Sequence, residues 1–151
     1  LVRAPTGLYP RPLHAVLPSP SPAGVRMCLI IRGACTLRPG GRGVSDTIRV
    51  RSIVGRFLGH SRVYWFGNDG APELYCASAD WLERNLLRRV ETCFPILDPD
   101  LAKRVYREVL QNYLDDNLNA WELDAEGIYH KRVPAHDEAP HSAQMALMQG
   151  L

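Results

Sequence analysis

The feature that most limits the fold is the run Val25-Arg26-Met27-Cys28-Leu29-Ile30-Ile31, which breaks off at Arg32-Gly33. A run this short, rich in aliphatic side chains and bounded by a turn, reads as a buried strand rather than a helix. A buried strand needs partners, and the rest of the sequence must supply them. After a loop carrying Pro39, Gly40, Gly41 and Gly43, residues 47–59 are expected to be helical. Ile48, Ile53, Val54, Phe57 and Leu58 would share one side, with Asp46 as N-cap. Strands are expected at 62–66 and 73–77, joined by Gly67-Asn68-Asp69-Gly70, whose residues tolerate positive φ and suit a hairpin. Asp80 is expected to cap a short helix reaching about Arg88, and 90–96 reads as a further strand. Asp98-Pro99 opens the clearest helix, 99–115, with Leu101, Val105, Val109, Leu110 and Tyr113 at helical spacing. A second hairpin, 121–123 with 128–132, turns at Asp124-Ala125-Glu126-Gly127, and 141–148 reads as a terminal helix. Alternating strands and helices imply an α/β fold, a mixed sheet with flanking helices. Residues 1–22, interrupted by Pro5, Pro10, Pro12, Pro18, Pro20 and Pro22, are expected to be an extended or disordered leader to a domain at 23–151.

Charge is distributed unevenly. Residues 1–62 hold ten arginines, no lysine and one acid, Asp46, for a net +9. Residues 63–151 hold eight basic and fifteen acidic groups, for a net −7. A basic half built from arginine points to a polyanion held by planar, bidentate contacts: a nucleotide, a nucleic acid or a chain of phosphates. The bland alternative is that half of these arginines are solvated surface. No apolar run of about eighteen residues is present, and the N-terminus lacks the basic-then-apolar order of a secretory signal. Cys28, Cys35, Cys76 and Cys93 form no close pair of the kind zinc needs, so reduced and mostly buried thiols are expected.

Four short motifs then follow in order: Arg32-Gly33, Leu37-Arg38-Pro39-Gly40, His60-Ser61-Arg62 and Ser78-Ala79-Asp80-Trp81. With the segments around them, 24–68 and 74–96, they closely resemble the C-terminal domain of the polyphosphate kinase family. The resemblance continues more weakly through 98–117 and Asn119-Ala120-Trp121-Glu122-Leu123 to Ser142-Ala143-Gln144, about 23–148 in all. It implies a phospholipase D-like domain of an enzyme that reversibly moves the terminal phosphate of ATP onto inorganic polyphosphate, with magnesium. It also implies that Arg32 and His60 engage the nucleotide phosphates, while the histidine that becomes phosphorylated belongs to another domain. Members of the family are several times longer, with an N-terminal domain, a helical domain that assembles homo-oligomers and a nucleophile-bearing domain. The missing domains are thus implied partners, alongside ATP or ADP and polyphosphate. The isolated chain, a truncation, a frameshift product or a separate gene, is expected to be inactive alone. The implied location is the cytoplasm, with peripheral attachment to the inner membrane an option for full-length members.

Physical chemistry supports those roles. Phosphoryl transfer spreads negative charge over the equatorial oxygens, so catalysis is mostly positioning and cationic stabilisation. Arg32 ends a strand, where α/β sheets place ligands, and Gly33 allows close backbone approach. His60 can donate to a phosphate or relay a proton near neutral pH, and Glu91 is the acid expected to orient its other ring nitrogen. Arg38 and Arg62 are further candidates to line a polyphosphate channel; Arg49, Arg51 and Arg56 are weighed equally against solvated surface. Ser78 is a candidate phosphate contact. Trp81 and Tyr64-Trp65-Phe66 are expected in the core. His14, His130, His136 and His141 are given no role, and no metal ligand is expected in the chain. Two other functions fit the residues: a stand-alone phosphate or polyphosphate-binding module, and a nucleic-acid binder. The second lacks interleaved exposed aromatics for stacking bases, so no nucleic acid is expected.

Overall fold

The computed structural model describes residues 2–3, 24–32, 35 and 37–150. The expected leader therefore lies outside the described residues, except for the two-residue strand β1 (Val2–Arg3). Gly33 lies outside them as well. Seven further strands follow: β2 (Met27–Ile30), β3 (Ile48–Ile53), β4 (Val63–Phe66), β5 (Glu73–Ala77), β6 (Cys93–Pro95), β7 (Ala120–Leu123) and β8 (Ile128–Lys131). The helices are α1 (Glu83–Arg88), α2 (Pro99–Val105), α3 (Asn112–Asp115) and α4 (Ala143–Gln149), with a wider π turn (Tyr106–Gln111) joining α2 to α3.

The strands form two sheets, one ordered β1-β8-β7-β3-β2 and one ordered β4-β5-β6. The first is mixed: β2 runs parallel to β3, and the other pairs are antiparallel. The architecture is thus mixed α/β, with the β4-β5 and β7-β8 hairpins where the turn residues predict them. Asn68 and Asp69 take positive φ, 41° and 49°, as that hairpin turn demands. Asp98 caps α2 by accepting from the backbone N–H groups of Asp100 (3.0 Å) and Leu101 (2.8 Å).

The expected helix over 47–59 is instead β3 followed by an extended loop. Ile48, Val50 and Ser52 alternate onto one face and are buried. Together with Cys35, Leu37, Leu123 and Tyr129, Ile48 and Val50 make the core on that face of the sheet. Val54, Phe57 and Leu58, which a helix would have buried, are exposed. On the opposite face of β3, Arg51 is buried. Its guanidinium donates to Glu122 Oε1 (2.6 Å) and to the carbonyls of Tyr113 (3.4 Å) and Leu114, closing the C-terminal end of α3. Arg51 therefore has a structural role.

Beyond α3, the chain turns on Asp116, which is 0% exposed. Its carboxyl oxygens accept from the N–H groups of Leu118 (3.1 Å), Asn119 (2.6 Å) and Ala143 (2.8 Å), and from the Asn119 amide (3.5 Å). This fixes the start of α4 and with it Gln144. The Gln144 amide spans to the Phe57 backbone, accepting from N–H (2.9 Å) and donating to C=O (2.6 Å).

Three further expectations change. The strand over 90–96 shortens to β6. Among the thiols only Cys35 is buried; Cys28 and Cys93 are exposed and Cys76 is intermediate. Trp65, Phe66 and Trp81 are partly exposed, since the small second sheet has too little covering it to bury them.

Candidate phosphate-binding site

Arg32 lies two residues beyond the end of β2, whose pairing with β3 extends through the Ile31 N–H to Arg51 C=O bond (2.8 Å). From the end of the first sheet its Nη1 donates to the carbonyl of Gly59 (2.7 Å), the residue before His60. Arg32 is otherwise exposed, and among the described residues its other guanidinium donors have no protein partner. His60 and Arg62 lead into β4 of the second sheet. Arg62 C=O accepts from Ala77 N–H (2.9 Å), which fixes it beside the end of β5. The two sheet ends thus bring Arg32, His60 and Arg62 into one cluster.

Arg62 is held from two sides. Its Nε donates to Asp80 Oδ1 (2.9 Å) and its Nη2 lies 2.9 Å from His60 Nε2. A guanidinium has no lone pair to offer, so His60 Nε2 is the acceptor and the ring carries its proton on Nδ1. The Arg62 hydrogen bond lowers the pKa of Asp80 below the usual carboxylate range, helped by the positive charges of Arg62 and Arg32. Asp80 in turn raises Arg62. The carboxyl is part-exposed (40% of its side chain), so this pair orients the guanidinium more than it stabilises the fold. Asp80 does not cap α1, whose N-cap is Leu82 with no side-chain bond.

Glu91 does not supply the expected orientation of His60. It accepts from the Ser78 hydroxyl, which itself accepts from Thr92 N–H (3.0 Å) and so ties the end of β5 to the approach to β6. Ser78 is thus occupied within the protein. Arg38 is placed elsewhere: its carbonyl accepts from Ser45 Oγ (2.6 Å), near the start of β3 and at the other end of the β2-β3 pair from Arg32. That end carries a concavity of about 280 Å³ lined by Arg49 with Asp46, Glu122 and Asp124, an acidic surround unsuited to a phosphate chain. Arg56 lies over the ring of Phe57 (5.7 Å).

The residue that sequence reasoning missed is Asp80 as the partner of Arg62. Its position inside the Ser78-Ala79-Asp80-Trp81 motif was the available signal. Beside it, Trp81 stacks on Tyr64 (5.6 Å, 29° between planes). The exposure of Trp65, Phe66 and Trp81 removes the lack of exposed aromatics as an argument against nucleic acid, so an oligonucleotide is a necessary comparator below. Among the described residues, no three His, Cys, Asp or Glu side chains come together as a metal site, and no helix is long and apolar enough to cross a membrane.

Chemically, the cluster offers two guanidinium groups and one imidazole at a sheet-end surface, with a single carboxylate committed to orientation. Such a set of donors is chemically suited to oxyanions. The family model described as "Polyphosphate kinase C-terminal domain 2" matches residues 8–144, which include the whole cluster. The chain belongs to the polyphosphate kinase family. A polyphosphate kinase of Xylella fastidiosa (strain Temecula1) is 72% identical over 131 residues, 87% of this chain and 19% of the relative. One from Pseudomonas aeruginosa is 53% identical over 131 residues, again 87% of this chain and 19% of the relative. The crystal structure of polyphosphate kinase from Porphyromonas gingivalis is similar with a TM-score of 0.83 at 37% identity, covering 97% of this chain and 22% of that one. The chain therefore spans about a fifth of the length of the polyphosphate kinases it matches.

Proposed function

We propose that this chain is the phosphate-binding portion of an ATP:polyphosphate phosphotransferase, with Arg32, His60 and Arg62 holding phosphate oxygens of ATP or of polyphosphate. The observation that carries this is the convergence of those three side chains from two sheet ends within a chain of this family. Arg32 offers unengaged guanidinium donors, which suit bidentate contact with a phosphate oxygen pair. Asp80 holds Arg62 by Nε and thereby aims its outer edge. The His60 Nδ1–H is a donor as arranged, and protonation of Nε2 would add a second once a phosphate displaces the Arg62 contact. These groups match the charge that builds on the equatorial oxygens during transfer. Arg38 belongs to this site only if a long phosphate chain reaches across the molecule.

The phosphohistidine that would carry the phosphoryl group is assigned to a domain outside the chain, so the reversible transfer needs that domain as partner. Magnesium, implied by the family, has no cluster of three His, Cys, Asp or Glu side chains to hold it among the described residues. Isothermal titration with inorganic tripolyphosphate, ATP and a single-stranded oligonucleotide tests the reading. Arg32→Ala should weaken tripolyphosphate binding roughly tenfold to a hundredfold, the scale of one charge-assisted contact. Preference for the oligonucleotide would contradict the phosphate reading. Polyphosphate synthesis from ATP and magnesium by the chain alone would contradict the assignment of the nucleophile to another domain. Binding without synthesis, even when the other domains are supplied, would favour the stand-alone binding module.

A further inference from the structure

We infer that Gln144 is a positioning residue for the phosphate-binding cluster, acting across the sequence through the loop that carries His60; this rests on the phosphate reading above. The loop 54–59 has little apolar burial to hold it, since Val54, Phe57 and Leu58 are all exposed. Hydrogen bonds fix it instead. Val54 N–H donates to Asn119 C=O (2.9 Å), Gly59 C=O accepts from Arg32 Nη1 (2.7 Å), and between them Gln144 takes both backbone groups of Phe57 (2.9 and 2.6 Å).

Gln144 is well placed to act as a fixed clamp. It is 7% exposed, and the preceding residue, Ala143, is 0% exposed. Ala143 N–H is bound by Asp116 Oδ2 (2.8 Å) and its C=O accepts from Asn112 Nδ2 (3.0 Å), so the segment bearing Gln144 is tied to the end of the long helix. The loop is shaped to receive it. A Cβ on Gly55 would stand 2.3 Å from Gln144 Oε1 and 2.7 Å from its Cδ, so Gly55 is the residue that lets the amide reach Phe57. The consequence reaches the site through Gly59, whose carbonyl is the one protein acceptor of Arg32 among the described residues, and which precedes His60. A loosened clamp would leave Arg32 and His60 in their binding arrangement for only a fraction of the time, and apparent affinity falls by that fraction.

The test measures tripolyphosphate affinity of the 151-residue chain by calorimetry. Gln144→Met keeps the bulk of the side chain and removes both hydrogen bonds; Gly55→Ala expels the amide without touching α4. Each should weaken binding roughly tenfold, corresponding to a competent fraction of about one tenth. Gln144→Met should weaken binding less in the Arg32→Ala background than in wild type, because Arg32→Ala already removes the Arg32–Gly59 bond through which the clamp reaches the guanidinium, leaving only His60 to be displaced. Amide exchange at Phe57 should accelerate in both clamp variants. Wild-type chain that fails to bind, or Arg32→Ala that binds as well as wild type, would sink the phosphate reading itself. If Arg32→Ala weakens binding while Gln144→Met and Gly55→Ala stay within about twofold of wild type, the phosphate reading stands and the positioning role of Gln144 is overturned. Full additivity of Gln144→Met with Arg32→Ala, or a lowered melting temperature with unchanged affinity below it, would assign Gln144 to general stability and overturn the inference too.

Discussion

Replacing Asp116 by alanine should unfold the C-terminal third of the molecule more readily than any surface change, because its carboxyl is the acceptor of the Asn119 and Ala143 backbone N–H groups; Leu118 N–H has His141 C=O (3.3 Å) and the Asn119 amide has Ser142 Oγ (2.8 Å) as second acceptors. The side chain is 0% exposed and accepts from three backbone N–H groups, those of Leu118, Asn119 and Ala143, and from the Asn119 amide. Losing the acceptor strands the Asn119 and Ala143 N–H groups at about 1–3 kcal/mol each. The bonds are not additive, so a total of about 3–5 kcal/mol is the expected loss, the scale seen when one partner of a buried charged contact is removed. With a urea m-value of about 2 kcal/mol/M for a chain of this size, the midpoint should fall by roughly 2 M. Asp116→Asn has the same shape and can keep the acceptor for Leu118 and Asn119, but it turns a donor toward Ala143 N–H. Its loss should therefore be about half as large, roughly 1 M in midpoint. Equilibrium urea unfolding followed by circular dichroism reads both. An Asp116→Ala midpoint within about 0.5 M of wild type, or an asparagine variant as stable as wild type, would refute the claim that this carboxyl holds the start of α4.

Arg51→Met should lower stability by about 1–2 kcal/mol, since it removes the donor to the α3 carbonyls while Glu122, 52% exposed, is left to solvent, yet leave tripolyphosphate affinity unchanged below the melting temperature. Calorimetric binding and thermal melts on one preparation separate the two effects; a large loss of affinity would mean that Arg51 faces ligand. Asp80, Asp124 and Glu138 all have pKa values below the usual carboxylate range, held down chiefly by Arg62, by the Ile128 N–H and by Asn117 respectively. Groups shifted this way add stability above the ordinary carboxylate range and lose it as pH falls through their folded values. Urea midpoints measured from about pH 6 down to about pH 3 should therefore decline steadily, and a flat profile would count against all three contacts. Asn68→Val should cost about 1–2 kcal/mol, because a β-branched residue at φ 41° is strained and the Asn68 amide bonds to Ala71 and Glu73 are lost; a neutral result in a thermal melt would contradict the turn geometry.

What could be read from the sequence was whatever local chemistry decides. Asp98-Pro99 announces the long helix, Gly67-Asn68-Asp69-Gly70 the first hairpin, and the aliphatic run before Arg32 a strand. The misreading of β3 has a definite cause. In Ile48-Arg49-Val50-Arg51-Ser52-Ile53 the alternation is present, but Arg51 reads as a surface residue until Glu122 and the α3 carbonyls, sixty or more positions away, are seen to take its charge. Distance in sequence also hid the clamp between Phe57 and Gln144, separated by 87 residues. For the site, the family resemblance implied Arg32 and His60 and left Arg62 as a further candidate, but did not give their relation. That Asp80 rather than Glu91 engages this cluster depends on where β5 ends, and on Ser78 taking Glu91 for itself.

The most direct test of the account is side-chain NMR of the isotopically labelled chain titrated with inorganic tripolyphosphate. The His60 ring nitrogens and the Arg32 and Arg62 guanidinium resonances should shift together and saturate at one concentration, while Arg49 and His130, outside the cluster, stay in place. Saturable shifts centred on Arg38 or Arg49, with His60, Arg32 and Arg62 unmoved, would contradict it.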